Sequence, residues 1–86
     1  MPDAKQRAEL WNRLIPPGAP RSNDIDLDSI AQEFEMSGGH IKNAIFRASI
    51  LCASSGHPID NETLWDAAVH EYRSMGHIIR DVDDLG

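Results

Sequence analysis

One segment has residues whose types and spacing could do chemistry: Ser37-Gly38-Gly39-His40-Ile41-Lys42-Asn43. Two glycines at a helix start allow a ligand to approach the backbone closely and leave N–H groups pointing outward. The same end carries the positive pole of the helix dipole, which Lys42 and a protonated His40 would reinforce. The chemistry implied is contact with the base or phosphates of a nucleotide, with Gly38, Gly39, His40 and Lys42 as the candidate residues. A tight interhelical turn with solvated polar side chains is the competing reading. His40 and Lys42 lie about 200° apart around a helix, so they do not easily face one ligand together.

Other chemistry finds little support. No phosphate loop of the G-x-x-x-x-G-K-[ST] type, no G-x-G-x-x-G, no H-E-x-x-H and no G-x-S-x-G occurs. Any catalytic role is therefore shared with another chain or with further sequence. His70 and His77 stand seven apart with Asp66 one turn before, but Gly76 intervenes and no third ligand is placed, so no metal is expected. Cys52 reads as a small buried hydrophobe, and Trp11 and Trp65 as core or core-edge residues. A single cysteine excludes an internal disulfide and fits a reducing, cytoplasmic setting.

The elements that must position the glycine pair are helical. Ala4, Ala8, Trp11 and Ile15 share one face of a helix capped by Asp3. Pro16, Pro17, Gly18 and Pro20 end it and open a loop to Asp24. Asp26 caps a second, short helix reaching about Glu35, with Leu27, Ile30, Ala31 and Phe34 as its stripe and Ile25 and Ile30 as a hydrophobic staple. Ser37 caps a third helix, from about Gly38 to Ser54. Ile41, Ala44, Ile45, Ala48, Leu51 and Cys52 form one stripe there, and Phe46, Ile50 and Ala53 occupy much of the other side. A helix apolar around most of its circumference is expected to be central and buried. Gly56 and Pro58 end it. Asp60 caps a fourth helix, stapled by Ile59 and Leu64. Leu64, Ala68, Tyr72 and Met75 line one of its faces, and it is expected to end at Gly76. The spacing thus predicts an all-α fold, a four-helix unit over residues 1–76, and a loosely ordered tail over 77–86.

The chain has 86 residues with 41% hydrophobic and 26% charged, enough for one modest core. Eight Lys and Arg stand against 14 Asp and Glu, for a net charge of -6. That balance argues against a phosphate backbone as partner, so no nucleic acid is expected. No apolar run is long enough to cross a bilayer, and no membrane partner is expected.

In order and spacing, these elements resemble the C-terminal helical lid of AAA+ ATPases. The resemblance runs from Arg7 to about Gly76. It comprises RAELWNRL, PGAP, DIDLDSIAQEF, MSGGHIKNAIFRASILCAS, Pro58-Ile59-Asp60 and AVHEYRSMG. Ser37, Gly38, Gly39, Ile41, Lys42 and Asn43 match a bacterial subgroup that reads S-G-G-x-I-[KR]-N. The resemblance implies a lid over a nucleotide held by a separate α/β core, with Gly38 and Gly39 near adenine and ribose. Some branches place an arginine, sensor 2, at the start of this helix to touch the terminal phosphate; His40 stands at that position here. ATP and magnesium would be held mainly by the core, so this chain alone is not expected to be an enzyme. A fragment of a longer chain is expected. Its partners would be the core of the same chain, neighbouring subunits of a hexamer, and a protein client remodelled by ATP hydrolysis. Two other classes compete: a helix-turn-helix DNA-binding domain over Ile30 to Ile41 and beyond, and a helical docking module without a nucleotide role.

Overall fold

The computed structural model describes residues 2–77. They form α1 (Ala4–Leu14), α2 (Leu27–Glu33), α3 (Gly38–Ser55) and α4 (Asn61–Tyr72), and a single π-helical turn, Arg73–His77, prolongs α4. No strand occurs among the described residues; the only extended pairing there is an isolated parallel bridge between Arg21 and Ile59. The fold is all-α, as the periodicity predicts. The expected tail lies outside the described residues from position 78 onward.

The caps form where the residue types place them. The Asp3 carboxylate accepts from the Gln6 N–H, and the Gln6 side chain accepts from the Asp3 N–H in return, closing a capping box. Asp26, Ser37 and Asp60 accept from the N–H groups of Ser29, His40 and Thr63. Hydrogen bonds from the Ser29 and Thr63 side chains, then from their backbones, hold the Asp26 and Asp60 carboxyls below the ordinary aspartate range. Gly56 closes α3 in the left-handed conformation, with φ 73°, where a Cβ would be strained.

Two ends differ from expectation. α2 stops at Glu33, with Phe34 already extended as its C-cap. α4 leaves α geometry at Tyr72, and its last turn widens to the π form through Gly76.

The core is built where the four helices meet. Trp11 of α1 and its C-cap Ile15, Ile30 of α2, Ile41, Ala44 and Ala48 of α3, and Leu64 and Ala68 of α4 are buried. Small residues at positions 44 and 48 let neighbouring helices approach closely. Met36, in the short α2–α3 connection, is fully buried and seals the base of the core. Phe34 meets Trp65 edge-on at 5.0 Å and Tyr72 at 5.7 Å, joining α2 to α4. The Trp11 Nε1 is buried without an acceptor among the described residues. That costs about 1–3 kcal/mol, which burial of the indole offsets.

Two loops fasten the helix pairs to each other. Ser22 N donates to Ile59 O at 2.8 Å, and Ile59 N donates to Pro20 O at 3.0 Å. Asp26 N donates to Asn61 Oδ1 at 2.9 Å, and Asn61 N donates to Asp24 Oδ1 at 3.3 Å. The proline-rich loop is thereby clasped to the turn between α3 and α4.

The expectation that α3 is buried around most of its circumference is corrected. Phe46 is 67% exposed, Ile50 49% and Leu51 44%. Only the stripe of Ile41, Ala44, Ile45, Ala48 and Cys52 faces the core. Packing against α1 on one side and α4 on the other leaves the third side of the helix uncovered.

Candidate functional site: the first turn of α3

The glycine pair sits in the first turn of α3, as the sequence predicts. Ile41 N is the first to close a helical bond, to Ser37 O at 3.0 Å, and Ser37 Oγ accepts weakly from His40 N at 3.5 Å. The N–H groups of Gly38 and Gly39 precede the intrahelical ladder and have no helical partner to satisfy. Gly39 is exposed and Gly38 half-buried.

Neither glycine is required by the fold. Both have ordinary negative φ, since Gly56 is the only positive-φ glycine among the described residues. A Cβ on Gly38 would lie 3.8 Å from Leu10 Cδ1, and one on Gly39 would lie 3.9 Å from Ser37 Oγ. Both are ordinary contacts, so alanine would fit at either position. A tight turn that only glycine can make is therefore not what places glycine here.

His40 and Lys42 diverge, as helical geometry requires. His40 Nδ1 donates to Glu71 Oε1 at 2.7 Å, and Asn43 Nδ2 donates to the same oxygen at 3.3 Å. The Glu71 side chain is 14% exposed, so this polar link between α3 and α4 is partly sheltered from water. Lys42 points to the other side of α3, into a shallow groove with Leu14, Pro16, Ile45 and Phe46. The structure thus brings Gly38, Gly39 and His40 together at one edge and leaves Lys42 apart. Glu71 is the residue that sequence reasoning missed. It lies 31 positions from His40, and no local pattern marks it.

Among the described residues, no three His, Cys, Asp or Glu side chains gather as a metal site. The first turn of α3 offers two backbone N–H groups and the positive end of the helix dipole. No helix among the described residues is long and apolar enough to cross a membrane.

Four helices with no strand among the described residues make this an all-α helical domain. Over residues 3–74 the sequence matches the family described as the contractile injection system ATPase helical domain, and the chain belongs to that family. No curated protein matches it. Membership gives the domain an ATPase core as its working partner, within an oligomeric assembly.

Proposed function

We propose that the chain acts as a lid of AAA+ type, of the subgroup with the S-G-G-x-I-[KR]-N motif. It closes over a nucleotide held by a separate α/β core and couples ATP binding and hydrolysis to subunit motion. The observation that carries this reading is the bare first turn of α3. Gly38 and Gly39 are needed neither by the backbone nor by packing, so their lack of a side chain serves a neighbour outside this bundle. A planar base or a ribose needs that kind of approach.

In this reading the glycines meet the adenine–ribose side of the nucleotide. His40 is a positioning residue: its bond to Glu71 fixes the start of α3 against α4. Lys42, on the other flank, reaches toward the core or a neighbouring subunit. ATP and magnesium are bound by the core, and the isolated domain does not hydrolyse ATP, because phosphoryl transfer requires groups on the β- and γ-phosphates that it lacks. The assembly is a cytoplasmic ring, a hexamer in this reading, acting on a protein client. The helix-turn-helix alternative is disfavoured by the exposed side of α3, which presents Phe46 and Ile50 where polar base-reading side chains would stand.

The test is Gly39→Val in the complete ATPase. Nucleotide affinity should fall by about tenfold, equivalent to about 1.4 kcal/mol. The melting curve of the domain should stay where it is, because a Cβ at this exposed position makes only an ordinary contact, 3.9 Å from Ser37 Oγ. His40→Ala should have a smaller effect on affinity. Unchanged affinity and turnover in Gly39→Val would remove the nucleotide reading of this turn.

A further inference from the structure

The uncovered side of α3 is both apolar and basic. Phe46, Ile50 and Leu51 are exposed. Phe46 borders two open grooves. One, of about 440 Å³, runs past Leu14, Pro16 and Lys42; the other, of about 290 Å³, past Arg47, Ile50 and Leu51. No carboxylate lines either groove. α3 as a whole contains Lys42 and Arg47 and no Asp or Glu. Glu71 of the adjoining α4 accepts from His40 and Asn43 and is already committed.

The complement to this surface lies on the same molecule. α2 and α4 carry Asp28, Glu33, Glu62, Asp66 and Glu71 and no Lys or Arg. All of these but Glu71 are exposed. The clasp ties the start of α2 to the start of α4 through Asp24, Asp26 and Asn61, which sets Asp28 and Glu62 on one edge. The cations near that edge do not neutralise it. Lys5 shares a groove with Asp28, but so does Glu9. Arg21 is bound to Asn12 of α1. Arg73 follows the far end of α4, about 16 Å along the helix from Glu62. Within one molecule the two surfaces do not meet, since no residue of α2 or α4 borders either groove of α3.

We propose that the open side of α3 docks head to tail on the acidic α2–α4 edge of a second copy of this chain. Phe46, Ile50 and Leu51 leave water at the centre of the contact, and Lys42 and Arg47 face carboxylates at its rim. A symmetric pairing of two α3 faces would instead crowd Lys42 and Arg47 of both copies together with no carboxylate between them, which costs free energy. Because the two surfaces differ, each contact leaves one of each kind free. Association therefore continues into a ring or a chain instead of stopping at two. The inference is independent of the nucleotide reading, since it uses neither glycine.

The test is sedimentation velocity on the 86-residue chain at low salt over a range of concentrations. The mean mass should rise with concentration, and high salt should reverse the rise. Phe46→Ser alters the face without entering the core, and the triple change Asp28→Asn, Glu62→Gln, Asp66→Asn alters the edge. Each should weaken self-association by about tenfold or more, with the helical circular dichroism unchanged. Mixed together, the two variants should form one-to-one dimers, because each retains the surface that the other has lost. An unaltered chain that stays monomeric at every concentration would overturn the proposal. So would self-association that survives Phe46→Ser. Association lost in Phe46→Ser but kept in the triple variant, with no rescue on mixing, would also overturn it and assign the face to a symmetric α3–α3 pair.

Discussion

Arg7 offers the sharpest test of how this small fold is held. It is 6% exposed, yet no carboxylate pairs with it among the described residues. Its Nε donates to Ala31 O at 2.8 Å and its Nη1 to Pro2 O at 2.7 Å. Ala31 belongs to the last turn of α2, whose final carbonyls have no intrahelical donor. α2 has seven residues and no glycine cap, so α1 supplies the missing donor from across the interface. The positive charge also meets the negative end of the α2 dipole.

Arg7→Met keeps the aliphatic stem and removes both hydrogen bonds. A hydrogen bond from a charged donor contributes about 1.5–3 kcal/mol, and the buried Ala31 carbonyl is left without a partner. Pro2 is only half-buried, so its carbonyl regains water and adds little. The expected loss is therefore about 2–3 kcal/mol. Arg7→Ala also loses about three buried methylenes, at about 0.8 kcal/mol each, and should be worse by about 2 kcal/mol. Urea denaturation of the chain, followed by far-ultraviolet circular dichroism, measures both. A change below about 0.5 kcal/mol in Arg7→Met would refute the claim that a side chain of α1 caps α2.

Two further perturbations address the caps and the core. Asp60→Ala should cost about 1 kcal/mol near neutral pH. The folded carboxyl is held below its unfolded value by Thr63 and by the nearby His57. Its contribution is therefore present above about pH 4 and lost as pH falls through the folded value, so the wild-type and variant denaturation curves should converge in acid. Ala48→Leu should destabilise by about 1–3 kcal/mol, because position 48 is fully buried on the core stripe of α3. A neutral result by denaturation would contradict that packing.

The helix starts were legible because capping is local chemistry. Asp3, Asp26, Ser37 and Asp60 each act within three residues of themselves, and a sequence shows that directly. The position of the glycine pair in the first turn of α3 followed from the same logic. What stayed hidden depends on which elements become neighbours. Nothing local to Arg7 marks it as a buried donor until α2 is placed over it. Met36 stands outside every helical stripe, and its burial follows only from how the helices close around it. Glu71 gives no sign in the sequence of holding His40. Apolar content on all sides of α3 predicts burial, but hydrophobicity records that a surface is to be covered, not that this chain covers it. Phe46 and Ile50 are the case in point.

The clasp between the proline-rich loop and the α3–α4 turn has a mechanical consequence. α3 has 18 residues, so it is a rod about 27 Å long. One end carries Gly38 and Gly39, braced to α4 through His40 and Glu71. The other end adjoins the turn through Ile59 and Asn61, which is tied to the strand of loop leading into α2. With both ends braced, the rod does not bend independently of the bundle. Each tilt of about 10° at the glycine end therefore carries the far end by about 5 Å, close to one helical pitch. In the lid reading proposed above, the bare turn would be the fulcrum of a lever arm, turning a small displacement at one end into a stride at the other.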